Sequence, residues 1–143
     1  MTYQIVSERK KNRQGAIITP DDAYNLIKRY GNAPKEQFLV ITLNGAHEPI
    51  SVYIAAIGLV NRAIIHPREV FIRAIQDMAS AVVICHNHPS GSLKPSSEDG
   101  EVTIRMREAG NVIGIPVIDR IIFSKNGFFS MRKEGYFEPK EEQ

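Results

Sequence analysis

The sequence predicts one α/β domain in which a mixed sheet is flanked by helices. Three observations point to this class. The chain has 143 residues, a length that suits a single compact domain. Short apolar runs rich in β-branched residues alternate with segments whose apolar residues recur at helical spacing. With 43% hydrophobic and 24% charged residues, the composition excludes collagen-like, low-complexity and wholly disordered classes.

The secondary-structure elements are predicted from start and stop signals. Thr19 suits a helix N-cap, Pro20 the first helical position and Gly31 the stop. The apolar run 81–85 is too short for a helix and is predicted as a buried central strand. The predicted helices cover residues 20–30, 67–80 and 97–109, and the predicted strands cover residues 38–43, 49–57, 81–85, 117–123 and 128–131.

The second and third predicted helices are amphipathic. Their apolar stripes comprise Val70, Ala74, Ile75 and Met78 in the second and Val102, Met106 and Ala109 in the third. Gly110 is predicted to end the third helix. We expect the domain at residues 17–135, between a flexible segment, 1–16, and a polar tail, 136–143.

Composition also narrows the function classes. The longest apolar stretch, residues 53–60, is far shorter than the roughly 20 residues of a membrane-spanning helix. The formal net charge of +2 is too small to indicate nucleic-acid binding. The single cysteine, Cys85, excludes an internal disulfide and a cysteine-rich zinc cage, and it fits a reducing compartment. We therefore expect a cytoplasmic protein without a membrane segment or a signal peptide.

The segment that follows the predicted central strand carries the chemistry. It reads HNHPSGSLKPSSED over residues 86–99. Because side chains alternate along a strand, His86 and His88 are expected on one face at its C-terminal end. Two neutral imidazoles suit Zn²⁺, and Asp99, in the first turn of the next helix, is placed to supply a third ligand. A generic H-x-H pair usually binds nothing, but its position at a strand end favours a metal site with one place left for water.

The pattern resembles the JAMM (MPN-plus) metallopeptidase signature, H-x-H-P-x(6)-S-x(2)-D, with Ser96 and Asp99 at the matching positions. Three segments resemble the RadC branch of that family, and the resemblance covers about residues 17–132. They are HNHPSG at residues 86–91, HPREVF at residues 66–71 and EAGNVIGIPVIDRIIFS at residues 108–124. The resemblance implies a three-layer, cytidine deaminase-like fold. It also implies zinc held by His86, His88 and Asp99.

The resemblance further implies that a zinc-activated water attacks a peptide or isopeptide bond. Ser96 then donates a hydrogen bond to the developing oxyanion. The same serine suits a helix N-cap, and one hydroxyl can serve both roles because it can donate and accept.

The family's mechanism also needs a glutamate that moves a proton from the water to the leaving amine. In RadC-like chains this residue lies on a strand, four or five residues before the glycine that precedes the HPREVF helix. Counting back from Gly58 gives Tyr53 and Ile54, neither of which is a base. Glu48 lies in the preceding turn, about 16 Å away along a straight strand, and can replace the missing base only if the register of the hairpin differs from this count. Glu69 is interpreted as a structural or solvent-facing charge on a helix.

Three functions therefore stay open. The leading one is a RadC-like zinc metallopeptidase acting on a peptide or protein. The second is a catalytically silent zinc-binding module that binds a peptide or protein, and a carboxylate near the attacking water discriminates between the two. A DNA-repair-associated role rests on the resemblance alone and ranks last. A zinc deaminase needs P-C-x-x-C, which a single cysteine excludes. His47 and His66 are assigned to a turn and a helix start, not to the metal.

Overall fold

The computed structural model describes residues 15–58 and 65–137, which form a five-stranded sheet with helices on both faces. The helices are α1 (Pro20–Ile27), α2 (Pro67–Gln76) and α3 (Ser97–Ile113). The strands are β1 (Gln37–Leu43), β2 (Pro49–Ile57), β3 (Ala81–Asn87), β4 (Val117–Ser124) and β5 (Gly127–Ser130). The predicted α/β class is confirmed. Most of the predicted segment 1–16 and of the tail 136–143 lies outside the described residues.

The sheet is mixed, as the sequence predicts. Its strand order is β2-β1-β3-β4-β5, with β1 and β3 antiparallel and β3 and β4 parallel. Phe38 pairs with His86, and Leu43 pairs with Ala81. The start of β1 and the ends of β3 and β4 therefore meet at one end of the sheet, which we call the upper end. The end of β1 and the start of β3 form the lower end.

Two apolar cores separate the sheet from its helices. Phe71 of α2 and Met106 of α3 pack with Ile84 in one core, whereas Leu26 of α1 packs with Cys85 in the other. Successive residues of β3 enter opposite cores because side chains alternate along a strand. The result is three layers: α1, the sheet, and α2 with α3. Among the helices of the described ranges, none has the length and apolar character that crossing a membrane requires.

Two helices end earlier than the sequence predicts. α1 stops at Ile27, and the chain continues as a 3-10 helix, Lys28–Asn32. α2 stops at Gln76, so the predicted apolar stripe is too long at its C-terminal end. Ile75 is 57% exposed, and Met78 is 88% exposed with φ 53°. The left-handed backbone at Met78 turns the chain towards β3, which takes that side chain off the buried face of the helix.

α3 continues beyond the predicted stop at Gly110. It ends at Ile113, and Gly114 follows as a left-handed C-cap with φ 88°. A Cβ on Gly110 would lie 2.6 Å from the carbonyl oxygen of Ile115. This glycine therefore allows a close approach of backbone within the packed domain and does not terminate the helix.

Candidate metal centre

Three potential metal ligands converge at the upper end of the sheet. They are Glu36, His86 and His88, each with one ligand atom within 4.8 Å of the others. Glu36 immediately precedes β1, His86 lies on β3, and His88 follows it by two residues. The two imidazoles emerge on the same side of the strand, with ring centroids 4.7 Å apart. The structure thus brings together both histidines that the sequence selects, but the third member of this cluster is Glu36 and not Asp99, the third ligand that the resemblance implies.

The chemistry of this cluster fits a divalent ion. Nε2 of His86 and Nε2 of His88 are buried and have no hydrogen-bond partner among the described residues. His88 Nδ1 lies 2.6 Å from the carbonyl oxygen of Ser92, so that ring donates from Nδ1 and keeps the Nε2 lone pair available. Buried ring nitrogens without partners are costly. An ion of the zinc class between them would satisfy both.

Asp99 lies beside both histidines. Its carboxylate is fully buried, with Oδ1 3.5 Å from Nδ1 of His86 and Oδ2 4.0 Å from Nε2 of His88. Oδ2 is therefore on the side of His88, and Oδ1 is on the side of Nδ1 of His86. A carboxylate at the second nitrogen of a metal-binding histidine fixes the tautomer and orientation of the ring.

Burial and neighbouring groups set the protonation states of this pair. Burial raises the pKa of Asp99, but hydrogen bonds from His86 and the Ser96 backbone and the charge of Arg120 outweigh it, so the net pKa is lowered. Burial lowers the pKa of His86, and the hydrogen bond with Asp99 offsets only part of that shift. The carboxylate is ionised and the imidazole neutral, which is the state that metal binding requires.

Ser96 is the N-cap of α3. Its Oγ accepts from the backbone amide of Asp99 at 3.1 Å and lies 3.0 Å from Oδ2 of Asp99 as a donor. In return, Oδ2 accepts from the Ser96 backbone amide at 2.8 Å. This capping box holds the Asp99 carboxylate in place. The cap role indicated by the sequence is present, and the oxyanion role stays a prediction.

Glu36 is the carboxylate that the sequence reasoning missed. The resemblance implies a base on the strand that precedes Gly58, which is β2, whereas the carboxylate near the histidines is that of Glu36, immediately before β1. On β2, Tyr53 and Ile54 are both buried. The Tyr53 hydroxyl donates to the carbonyl oxygen of Val70. The antiparallel pairing of β1 with β3 is the signal that could have found Glu36, because it places the residue before β1 beside the end of β3.

Glu48 cannot replace Glu36. It lies at the lower end of the sheet, where its Oε1 accepts from the side-chain amide of Asn44 at 3.0 Å. The length of β1 separates the two ends, about 20 Å at the rise of a strand. The register of the hairpin therefore keeps this carboxylate away from both histidines.

Asn87 holds the segment that carries Glu36. Its side chain is buried on the face opposite the histidines. Oδ1 accepts from the Gln37 backbone amide at 2.5 Å, and Nδ2 donates to the Lys35 carbonyl oxygen at 3.2 Å. The side-chain amide of Asn87 thus forms hydrogen bonds with the residues on both sides of Glu36. These bonds fix the backbone from which the Glu36 side chain extends.

The other candidate residues have structural roles. His66 is the N-cap of α2, and its Nδ1 accepts from the Arg68 backbone amide at 3.2 Å. Glu69 completes this cap, because its Oε2 accepts from the His66 amide at 3.4 Å. His47 lies in the turn between β1 and β2, where its carbonyl oxygen accepts from the Ile17 amide at 2.8 Å. These placements agree with the turn and helix-start roles that the sequence indicates.

Comparison with known proteins identifies the family of the domain that contains this centre. The RadC-like JAB domain matches residues 17–136, which include Glu36, both histidines and Asp99. The chain belongs to the RadC-like JAB domain family. The resemblance seen in the sequence is thereby confirmed, and the mixed sheet with helices on both faces is consistent with a JAB/MPN domain.

This RadC-like JAB domain is similar to UPF0758 proteins of several organisms. A UPF0758 protein from Methanospirillum hungatei is 49% identical over 136 residues, covering 94% of this chain and 59% of that protein. UPF0758 proteins from Alkaliphilus oremlandii and Rubrobacter xylanophilus are 46% and 44% identical, and the chain covers 51% and 52% of them. The alignments cover 82% and 83% of this chain. The chain therefore spans little more than half the length of these relatives.

Proposed function

We propose that this RadC-like JAB domain is a zinc-dependent hydrolase that cleaves a peptide or isopeptide bond in a peptide or protein substrate. The observation that carries the proposal is the position of Glu36, whose Oε2 lies 3.4 Å from Nε2 of His86. A catalytically silent module was the main rival, and a carboxylate beside the histidines is the feature that discriminates against it.

The resemblance in sequence selects Asp99 and not Glu36 as the third ligand, which leaves the Glu36 carboxylate for proton transfer. His86 and His88 would hold zinc through Nε2, and Asp99 through Oδ2. When bound, zinc supplies a Lewis acid and lowers the pKa of water to about 7, so that hydroxide is available at neutral pH. Three protein ligands and one open position are typical of catalytic zinc sites.

Glu36 is the proposed general base and acid. Its side chain is 27% exposed, and its Oε2 faces Nε2 of His86. It would take the proton of the attacking water and return that proton to the leaving amine nitrogen. General acid-base catalysis of this kind contributes about 10²- to 10⁴-fold in rate.

Ser96 is proposed to donate to the oxyanion of the substrate. The hydroxyl has one proton, and this proton is within reach of Oδ2 of Asp99 at 3.0 Å. To serve the oxyanion, the hydroxyl must rotate away from Oδ2 while it still accepts from the Asp99 amide. A Ser96→Ala variant should therefore keep zinc and lower kcat by about 10²-fold, in the range known for loss of one oxyanion donor.

The cytoplasmic location is part of the proposal and rests on Cys85. This thiol is free and buried, as suits a reducing compartment. Burial raises its pKa further above the usual range, which keeps the thiol protonated and unreactive.

Metal content and hydrolysis of a peptide and isopeptide library test the proposal together. The wild type should bind about one zinc per chain, because one ion satisfies both orphaned ring nitrogens. His88→Ala should lose the metal. Glu36→Gln should keep the metal and lose about 10²- to 10⁴-fold in rate. Glu69→Gln, a capping glutamate of α2 outside the cluster, is the matched control and should keep both metal and rate.

The outcomes separate the rival functions. A Glu36→Gln variant with the wild-type rate would contradict the role of the base. A wild type that binds zinc yet cleaves nothing in the library would favour the silent module. A wild type without zinc would contradict both.

A further inference from the structure

Arg120 is a buried arginine next to the metal centre. It lies on β4 and is 0% exposed. Among the described residues, it is the largest of the fully buried side chains. Its guanidinium lies over the ring of Phe38, 5.0 Å from the centroid. Removing a guanidinium from water is costly unless its hydrogen bonds and its charge are matched inside the fold. The acceptors of its hydrogen bonds include Asp99 itself and Thr103, which in turn bonds to Asp99.

The guanidinium holds the first turns of α3. Nη1 donates to Oγ1 of Thr103 at 3.0 Å, and Nη2 donates to Oδ1 of Asp99 at 3.4 Å. Oγ1 of Thr103 donates in turn to the backbone carbonyl of Asp99 at 2.7 Å. Because the guanidinium is planar and rigid, these bonds fix both the backbone and the carboxylate of Asp99 relative to β4.

We propose that Arg120 is a positioning residue that keeps Oδ1 of Asp99 away from the metal, so that Asp99 binds through Oδ2 alone. The inference rests on the proposed ligand set. A carboxylate can bind a metal through one oxygen or both, and the second oxygen of Asp99 would occupy the position that hydrolysis needs for water. Oδ1 instead accepts from Arg120 and faces His86, while Oδ2 faces His88.

The Asp99 carboxylate that Arg120 holds favours the tautomer of His86 that can bind the metal. Nδ1 of His86 lies 3.5 Å from Oδ1 of Asp99 and 3.5 Å from Nη2 of Arg120. Nη2 of Arg120 can only donate to an Nδ1 that carries no proton, whereas Oδ1 of Asp99 accepts the proton of Nδ1. With the proton on Nδ1, Nε2 keeps the lone pair that binds the metal. The fixed carboxylate thus orients one ligand and is itself limited to one ligand atom.

Cobalt absorption and zinc affinity test this role without a substrate. Co²⁺ replaces zinc, and the intensity of its visible bands is high for four ligands and falls for five or six. The wild type should give the intense spectrum. Arg120→Met keeps much of the apolar stem but removes the donors, so it should lose band intensity and weaken zinc binding by about 10- to 100-fold, as expected for an outer partner of a ligand. Arg120→Lys should be intermediate.

Arg105→Met is the matched control. Arg105 is an exposed arginine of α3 whose Nη2 donates to the carbonyl oxygen of Ile65. Loss of this arginine should leave the cobalt spectrum and the zinc affinity unchanged. A change as large as that of Arg120→Met would overturn the proposal, since it would show that any arginine lost from this region disturbs the centre.

Folding is checked by circular dichroism of the metal-free variants. A folded Arg120→Met with the wild-type spectrum and affinity would overturn the proposal. If this variant does not fold, Thr103→Val takes its place, because it removes the hydroxyl that anchors Nη1 and leaves Arg120 and Asp99 present. Its spectrum should shift in the same direction to a smaller extent, and an unchanged spectrum would also overturn the proposal.

The result is independent of hydrolysis. A wild type that binds cobalt but cleaves no substrate contradicts the proposed function and leaves the Arg120 comparison valid. A wild type that binds neither cobalt nor zinc contradicts the ligand set and, with it, the role of Arg120.

Discussion

Both ends of the paired strands β1 and β3 place an aspartate among polar side chains, with different results. At the lower end, Asp77 Oδ2 accepts from Thr42 Oγ1 at 2.8 Å and Ser51 Oγ at 2.5 Å, and Oδ1 pairs with Arg73. At the upper end, Asp99 is equally well bonded. The two imidazoles beside it, however, keep ring nitrogens without hydrogen-bond partners among the described residues. The guanidinium of Arg73 has only donors, whereas an imidazole nitrogen that carries no proton has a lone pair, so the upper network is the one that is open to a metal ion.

Removal of each aspartate should separate the two networks, and this is the largest effect we expect. Asp99→Ala should destabilise the metal-free protein by about 3 to 5 kcal/mol, because Arg120 would be left buried without its carboxylate. It should also abolish zinc binding. Asp77→Ala should cost about 1 to 3 kcal/mol and leave the zinc content intact. Urea unfolding and metal analysis measure both.

The comparison fails if Asp77→Ala removes zinc. It also fails if Asp99→Ala keeps zinc at the wild-type level, since the upper network would then not depend on its carboxylate.

Metal removal should reveal the open network directly. Free zinc at one hundred times its Kd should stabilise the wild type by about 2.7 kcal/mol, since only the folded state assembles the ligands. Calorimetry or a thermal melt with zinc and then with excess chelator would show a Tm lowered by roughly 10 °C. His88→Ala should show no such shift. Equal Tm values for the wild type with zinc and with chelator would contradict the metal centre.

The asparagines at the two ends offer a finer comparison. Asn87 holds the backbone beside Glu36, and Asn44 Oδ1 accepts from the backbone amides of Ala46 and Glu48 in the turn of the β1–β2 hairpin. Each change to alanine should cost about 1 to 3 kcal/mol in stability. Only Asn87→Ala should also lower kcat, by about 10²-fold, because a base displaced by 1 Å loses its alignment.

Zinc content should be normal in both asparagine variants. Equal kcat values for Asn87→Ala and the wild type would show that the amide does not position Glu36.

The smallest effect concerns another buried carboxylate, Asp119, and the pH dependence of its contribution to stability. Burial raises its pKa, and hydrogen bonds from Ser130 and from the backbone amides of Arg132 and Arg120 offset only part of the shift. A raised pKa means that the folded state holds the proton more tightly, so this contribution is full below about pH 3.9 and is lost as pH rises through the folded pKa. The free energy of unfolding of the wild type should therefore fall relative to that of Asp119→Asn between about pH 4 and 7.

Urea unfolding at each pH measures this difference. A difference that is constant over the range, or that changes in favour of the wild type, would contradict the raised pKa.

The fold could be predicted largely because its signals are local. β-Branched runs bounded by turn dipeptides define the strands, as at Asn126-Gly127 between β4 and β5. Gly110 misled the prediction, since the glycine in α3 serves packing against the Ile115 backbone, which no local pattern records. Tertiary contacts therefore set the helix ends more than propensity does.

The site could be predicted only where its residues share one segment. His86, His88 and Asp99 lie within fourteen residues, so strand alternation and a helix start suffice to relate them. Glu36 lies 50 residues before His86, and only the β1–β3 register brings it near. In the sequence, nothing distinguishes Arg120 from any other polar residue of a largely apolar strand. Its burial against α3 is visible only in the folded domain.

The centre joins a residue before β1, the end of β3 and the start of α3, with β4 supporting it from behind. No single peptide of the chain holds these parts at bonding distance. A metal ion could bind here only after the central strands have paired in the right order. The metal-bound fraction of the protein would therefore consist of chains that have completed folding.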